Sequence, residues 1–299
     1  MSDNADVLER AIDRASGIAI TFADTTTLTR ELERRHLAGP TAARALGLAT
    51  AGVAVLGNVL DQPDERLSLQ LGCDGPIRGV LAEISAGGTV RGFPYIKILN
   101  ALDGDDAAPL EAAFGHRGLL EVLQSSATAT LAASHTEATP PNPARAIERY
   151  LAESRQVLAT VALHAHAVDG RLACARAVLC ECMPDGSTAA FAKVRAVFDS
   201  GAVEQALATA TGADDLRQTL GLPDLVVRSR LPLTFGCRCS YEKMLALLGA
   251  MPIADLEDML TDPEGQTITC HFCGTSHVIP PQEIRTILTL RNAAPESHS

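Results

Sequence analysis

The sequence contains no tryptophan, and aromatic residues make up only 3% of its 299 positions. Proteins that bind single-stranded nucleic acid stack the bases on aromatic side chains, and proteins that bind phosphate backbones are usually basic. Here Asp and Glu number 36 against 25 Lys and Arg, which gives a formal net charge of −11. We therefore expect no nucleic-acid partner.

Motifs of the common enzyme classes are also missing. The chain has no phosphate-binding glycine loop, no H-E-x-x-H pair and no Ser-His-Asp order. The sequence thus offers no candidate catalytic residues. We expect a protein that is not an enzyme.

The chain lacks a clear targeting or membrane segment. Residues 1–17 do not show the charged, apolar and cleavage regions of a signal peptide. Residues 41–60 are nearly all apolar and about as long as a membrane span. However, they are rich in Ala and Gly and contain Arg44 and Asn58, so their hydrophobicity is weak and a buried core helix is favoured. With eight cysteines and no export signal, we expect a cytoplasmic protein whose thiols serve metal or redox chemistry.

Four cysteines near the C-terminus carry the strongest positive signal. Cys237 and Cys239 form a C-x-C pair, and after 30 intervening residues Cys270 and Cys273 form a C-x-x-C pair. Two close pairs around a short folded insert are typical of one tetrahedral metal ion with four thiolate ligands. Four sulfur ligands favour zinc or iron–sulfur chemistry and leave no open position for catalysis. We predict one Zn²⁺ per chain on these residues.

The insert between the two pairs has the pattern of a small α+β module. Ser240 can cap a first helix, and Pro252 can open a second one. Residues 267–269 and 278–279 are predicted to pair as strands, and Pro281 to begin a closing helix. Because the module has few large apolar residues, we expect metal binding to supply much of its folding energy; structural zinc contributes roughly 10–16 kcal/mol in small peptides.

The rest of the chain predicts an α+β fold with a mixed sheet, because strands and helices occur without regular βαβ alternation. A helix is predicted over residues 144–158, followed by a strand hairpin made of residues 158–168 and 172–183. Hairpin turns are predicted at three glycine-containing dipeptides: Asp74-Gly75, Gly87-Gly88 and Asp103-Gly104.

We divide the chain into four parts. Residues 1–185 form the main domain, 186–232 a helical linker, 233–292 the zinc module and 293–299 a disordered tail. In the linker, apolar residues fall at helical spacing and are expected to lie on the main domain: Val194, Val197, Phe198, Val203, Leu207, Leu216 and Leu220.

The remaining cysteines and two histidines have structural explanations. Cys180 and Cys182 form a second C-x-C pair, but in a strand they would share one face and pack in a sheet. Cys73 and Cys174 are expected to be small core or turn residues. His164 and His166 also share a strand face, but no third ligand is evident, so a structural role is favoured over a metal site. His271 or His277 could replace a cysteine ligand in the C-terminal site, although four thiolates already complete it.

Several segments resemble the bacterial 33 kDa heat-shock chaperonin family. Both cysteine motifs match in context, as residues 235–240 and 270–274, and four upstream segments are similar: residues 69–77, 91–92, 150–156 and 168–170. The chain departs from the family pattern at Arg155, where Glu is usual, and at Cys73. Residues 125–143 are Pro-rich and lack the family's usual strand pattern.

The resemblance implies a holdase, a chaperone that binds unfolding proteins without ATP and is switched on by oxidation. It implies that Cys237 pairs with Cys239, and Cys270 with Cys273, as disulfides in the oxidised state, when zinc is lost. It also implies a substrate-binding and dimerisation role for residues 1–185, a homodimer when oxidised, and a function in stress response.

Two other interpretations remain open at this point. The cysteines are also compatible with a structural zinc module that mediates protein or nucleic-acid contacts, and with a thiol oxidoreductase that uses Cys270 and Cys273. A purely structural site would lose function on oxidation, whereas a catalytic dithiol need not hold stoichiometric zinc.

Overall fold

The computed structural model describes residues 5–106 and 108–293 and confirms the α+β class. The strands in these residues are β1 (Val7–Asp13), β2 (Ile18–Asp24), β3 (Arg66–Cys73), β4 (Gly79–Ser85), β5 (Thr89–Pro94), β6 (Gly118–Ser125), β7 (Thr130–Ala138), β8 (Ala159–Val168), β9 (Arg171–Cys182), β10 (Leu225–Pro232), β11 (Thr234–Phe235), β12 (Gln266–Thr269) and β13 (Ser276–Ile279).

Helices of different length connect these strands. They are α1 (Thr26–His36), α2 (Pro40–Leu56), α3 (Leu110–Phe114), α4 (Pro143–Ser154), α5 (Thr188–Asp199), α6 (Ala202–Leu207), α7 (Arg217–Leu220), α8 (Tyr241–Gly249), α9 (Ile253–Met259) and α10 (Pro281–Ala293), with short 3₁₀ turns at Gly57–Val59 and Ala213–Leu216. The chain divides into two compact units between Gly236 and Cys237.

The N-terminal unit contains two sheets. The first has the order β10-β1-β2-β9-β8 and is antiparallel throughout, and the second has the order β11-β5-β4-β3-β6-β7, with one parallel pair at its β11 edge. In β3 the buried side chains of Leu67, Leu69 and Leu71 alternate with half-buried polar residues. This period of two is expected for a sheet with one face in the core.

Helix α2 packs against strands of both sheets. Its small residues allow a close approach: a Cβ added at Gly52 would lie 2.9 Å from the Cδ1 of Ile147. The segment Pro40–Val59 is long and apolar enough to cross a membrane by length and composition, but 72% of its apolar window is buried inside the protein. The prediction of a buried core helix is therefore confirmed.

Helices α5, α6 and α7 cover the other face of the first sheet. Strand alternation in β9 turns Ala177 and Leu179 towards the core around α2, and Val178 and Cys180 towards these helices. The buried side chains contributed by residues 191–220 are Phe191, Val194, Val203, Leu207, Ala210, Ala213, Leu216 and Leu220, whereas Val197 and Phe198 are half-buried at the edge. The range predicted as a helical linker also contains a strand, β10, which pairs with β1.

Other predictions in the N-terminal unit have mixed outcomes. The 144–158 helix and the hairpin around Asp169-Gly170 are confirmed as α4, β8 and β9. Residues 125–143, which lack the family's usual strand pattern, nevertheless contain a strand, β7, that pairs with β6. Asp103-Gly104 is not a hairpin turn: the Asp103 carboxylate accepts hydrogen bonds from the backbone N–H groups of Leu99 and Thr41, at 2.6 and 3.1 Å, and so holds the start of α2.

The C-terminal unit follows the predicted order of helices and strands. Ser240 caps α8 by accepting a hydrogen bond from the Lys243 backbone N–H at 3.3 Å, α9 follows Pro252, and β12 pairs with β13. The buried apolar cluster is small: Met244, Leu248, Leu256, Ile279, Ile284 and Leu288. The predicted disordered tail, 293–299, lies outside the described residues except for Ala293, the last residue of α10.

Candidate metal centre

Two connections in the C-terminal unit carry the predicted metal ligands. Cys237 and Cys239 lie in the extended segment before α8, where the Lys243 ammonium donates to the Arg238 carbonyl at 2.6 Å. Cys270 and Cys273 lie in the turn between β12 and β13. That turn is closed by hydrogen bonds at 2.9 Å from the Cys270 N–H to the Thr275 carbonyl and from the Gly274 N–H to the Cys270 carbonyl. At Gly274 the chain adopts a φ of 70°, a left-handed conformation that favours glycine.

The four sulfur atoms converge on one point. All of them lie within 4.8 Å of one another, and the Sγ–Sγ distances are 3.7 Å for Cys237 and Cys270 and 3.4 Å for Cys239 and Cys273. Sulfurs bound tetrahedrally to zinc at about 2.3 Å are about 3.8 Å apart. No disulfide joins any of the eight cysteines. The arrangement therefore has the size and the donor set of a four-thiolate metal site.

Burial and local hydrogen bonds shift the pKa values of three of the four thiols, and not all in the same direction. Burial acts to raise the pKa of Cys273, but the hydroxyl and backbone N–H of Thr275 donate to its sulfur and lower that pKa to about 7. Burial raises the pKa of Cys239, and so do hydrogen bonds with the neighbouring cysteines. Burial also raises the pKa of Cys270. Cys273 is thus the thiol with the clearest tendency to ionise near neutral pH, and thiolate is the form that binds metal or reacts with an oxidant.

The nearby histidines do not join this group. Among the described residues, the cluster of possible metal ligands here consists of the four cysteines. The ring of His277 lies edge-on to that of Tyr241, with 6.3 Å between their centroids. Replacement of a cysteine ligand by His271 or His277 has no support in this geometry.

A second group of possible ligands lies on the first sheet of the N-terminal unit. One ring nitrogen of His164, one of His166 and the Cys174 sulfur are within 4.8 Å of one another. Burial is the main cause that lowers the pKa of His164, to about 4, and that raises the pKa of Cys174, to about 11. No third ligand beside the two histidines is evident in the sequence, but the structure places Cys174 there.

The other cysteines fit their predicted structural roles. Cys180 is fully buried and Cys182 half-buried, and both contact the apolar cluster beneath the linker helices. Burial raises the pKa of Cys180 far above its ordinary value. Cys73 ends β3, and its backbone N–H donates to the Arg78 carbonyl at 3.1 Å. Among the described residues, none of these three belongs to a group of possible metal ligands.

Comparisons with known proteins agree over nearly the whole chain. A family model described as Hsp33 protein matches residues 6–280. A 33 kDa chaperonin from Symbiobacterium thermophilum is 31% identical over 94% of this chain and 96% of its own length, and one from Syntrophotalea carbinolica is 29% identical over 95% and 99%. A crystal structure of a 33 kDa chaperonin, the heat shock protein 33 homologue of Thermotoga maritima, superposes with a TM-score of 0.85 at 19% identity and covers 97% of this chain and 100% of its own.

Proposed function

Because the chain belongs to the Hsp33 protein family, we propose that it is a redox-regulated, ATP-independent holdase of the bacterial cytoplasm, inactive when reduced and metal-loaded and active after oxidation. The proposal rests on one observation above others: Cys237, Cys239, Cys270 and Cys273 bring four sulfur atoms within 4.8 Å of one another. Its clients are unfolding or aggregating proteins.

The four cysteines would hold one zinc ion in the reduced protein. When bound, zinc keeps the sulfurs as thiolates and ties the segment before α8 to the β12–β13 turn. This link matters because, within the part of the C-terminal unit that the structure describes, the apolar cluster has six buried side chains. A unit with so small a core depends on additional links to stay folded.

Oxidation changes the ligands themselves. Two thiolates lose two electrons as they form a disulfide, and a peroxide takes up these electrons with two protons and leaves as two molecules of water. Disulfide sulfurs are poor metal ligands, so the oxidised unit keeps only its small core. We propose that it then unfolds.

The pairing of the cysteines is a separate part of the proposal. Family resemblance implies disulfides between Cys237 and Cys239 and between Cys270 and Cys273. Sulfur contacts at 3.7 and 3.4 Å join Cys237 to Cys270 and Cys239 to Cys273. Because all four sulfurs lie within 4.8 Å of one another, either pairing can form without separation of the two cysteine segments. Peptide mapping of the oxidised protein distinguishes the two patterns.

The proposed client surface lies beneath the linker. Phe22 and Val178 belong to the apolar cluster covered by residues 191–220. The linker contains no cysteine, so oxidation acts on it indirectly, through the chain that leads from β10 and β11 to Cys237. Release of the linker helices would expose an apolar sheet face, which is what a holdase uses to bind unfolding chains.

Light scattering by a thermally aggregating client tests this function. We expect the reduced, zinc-loaded protein to leave aggregation unchanged, and the same protein after hydrogen peroxide treatment to suppress it without ATP. A Cys73→Ser, Cys182→Ser double variant is the matched control, because it removes two thiols outside the centre. If the protein suppressed aggregation equally before and after oxidation, or only before it, a structural zinc module would be favoured instead.

A further inference from the structure

The cluster of His164, His166 and Cys174 is independent of the C-terminal centre. We propose that it is a second metal site, selective for a soft monovalent ion of the Cu(I) type. The three residues lie on neighbouring strands, with His166 directly opposite Cys174 in the β8–β9 ladder. Two imidazoles and a thiolate are a donor set that suits copper or zinc.

The two histidines already point their nitrogens at each other. The Nε2 of His164 and the Nδ1 of His166 are 2.9 Å apart, a hydrogen bond in which one nitrogen donates its N–H and the other accepts through its lone pair. To bind an ion through both nitrogens, the donating ring moves its proton to its other nitrogen or loses it to solvent. Nitrogens bound to a trigonal ion at about 2 Å are about 3.5 Å apart. The rings would have to separate by roughly half an ångström, and both are half-buried rather than fully enclosed.

The sulfur completes the site from the covered side. Cys174 is 2% exposed, and its Sγ lies 3.9 Å from the Leu207 carbonyl at the end of α6. The sulfur of Cys174 would be the third ligand of an ion bound to the two histidine nitrogens. On binding, the thiol proton passes to solvent, and no electron is transferred.

The ligand set selects the ion. Among the described residues, the group of possible ligands here consists of two histidines and one cysteine. Structural zinc is almost always four-coordinate, whereas a trigonal set of two histidines and a cysteine is typical of copper, and a thiolate ligand suits Cu(I). The nearby arginines do not oppose a cation, because Arg176 is paired with Asp24 at 2.7 Å and Arg44 interacts with three carboxylates, those of Asp105, Asp106 and Glu111. The site therefore favours Cu(I).

The test is a titration of the full-length, zinc-loaded protein with Cu(I) buffered by bicinchoninate under anaerobic reducing conditions. The C-terminal cysteines are also soft ligands and would bind Cu(I) in every protein compared. The quantity that tests the site is therefore the difference in bound Cu(I) per chain between parent and variant. We expect His166→Gln and Cys174→Ser each to bind one Cu(I) fewer per chain than the parent. The controls are His116→Gln, an exposed histidine, and Cys182→Ser, a cysteine on the same strand as Cys174, and both should match the parent.

X-ray absorption at the copper edge gives an independent readout. The proposed site supplies nitrogen and sulfur, whereas the C-terminal centre supplies sulfur only. We expect a copper–nitrogen shell in the parent that disappears in a His164→Gln, His166→Gln double variant whose zinc content and circular dichroism are unchanged. Equal Cu(I) counts in parent and variants, or a copper shell of sulfur alone in the parent, would overturn the proposal. Neither result bears on the holdase activity, which the light-scattering assay measures.

Discussion

The individual cysteines of this protein differ in burial and in hydrogen bonding, and these differences shift the pKa values of their thiols. Cys180 lies in an apolar cluster that raises its pKa, which makes its thiol a poor nucleophile, and among the described residues it belongs to no group of possible metal ligands. Cys273 receives hydrogen bonds from Thr275 that lower its pKa to about 7 despite burial. The chain thus separates reactive from inert thiols by local burial and hydrogen bonding.

This difference predicts the result of replacing individual cysteines. We expect Cys270→Ser to weaken zinc binding by more than about 100-fold, because loss of a direct ligand costs more than the 10–100-fold typical of outer-shell changes. Competition with a zinc-binding dye under reducing conditions measures the affinity.

Cys182→Ser is the matched control, since it also removes a cysteine thiol, here a half-buried one, but lies outside the centre. We expect its zinc affinity to equal that of the parent. A comparable loss of affinity in this variant would contradict the assignment of ligands to residues 237, 239, 270 and 273.

At the scale of elements, the short helix α6 shows how the linker is held. Leu207 is fully buried against the first sheet, and the Arg176 guanidinium donates to the carbonyls of Leu207 and Ala208 at 3.0 and 2.9 Å. The sheet therefore fixes the end of α6 both by apolar contact and by charged hydrogen bonds. Val197 and Phe198, chosen from helical spacing, lie nearer the edge.

Leu207→Asp should therefore release the linker more effectively than a change at Val197 or Phe198. Burial of a leucine side chain contributes about 1.5–3 kcal/mol, and the substitution also places a charge against an apolar face. We expect faster hydrogen exchange over residues 188–222 and suppression of client aggregation in the reduced protein with zinc still bound.

The matched control is Gln205→Asp, which introduces the same charge at an exposed position of the same helix. It should behave as the parent in both measurements. If Leu207→Asp exposed the linker without any gain in activity, the client surface would lie elsewhere, for example in the unfolded C-terminal unit.

At the scale of the whole molecule, the two compact units differ in how they are stabilised. The N-terminal unit has two sheets and extensive apolar clusters on both sides of its first sheet. The C-terminal unit has six buried apolar side chains and four clustered sulfurs. Because buried apolar area is the main source of folding energy, only the second unit should need its metal to stay folded.

Removal of the metal tests this difference. We expect a zinc chelator, added under reducing conditions, to abolish hydrogen-exchange protection in residues 241–293 while α2 and the strands of both sheets stay protected. Addition of zinc should restore the protection. Persistent protection of α8 and α10 in protein shown to be free of metal would mean that the small core suffices by itself.

Local sequence patterns determined much of this protein. The C-x-C and C-x-x-C spacing identified the four sulfurs that converge, and a capping serine, an opening proline and alternating apolar residues located the helices and strands of the C-terminal unit. Helix α2 and the β8–β9 hairpin followed in the same way. Such features can be predicted from the sequence because their causes act over a few residues: capping, turn conformation and side-chain periodicity.

Only the tertiary structure decided features that depend on distant partners. β7 forms because β6 offers it a pairing edge, although the flanking prolines hide the strand pattern. Asp103 serves the start of α2 rather than a hairpin. In the β8–β9 ladder, a register shift after His166 places Cys174 opposite that histidine; without it, Ala173 would be the partner and the sulfur would face the other side. A single bulge thus created the His164–His166–Cys174 cluster, because side chains alternate faces at every residue and no local pattern records a one-residue shift.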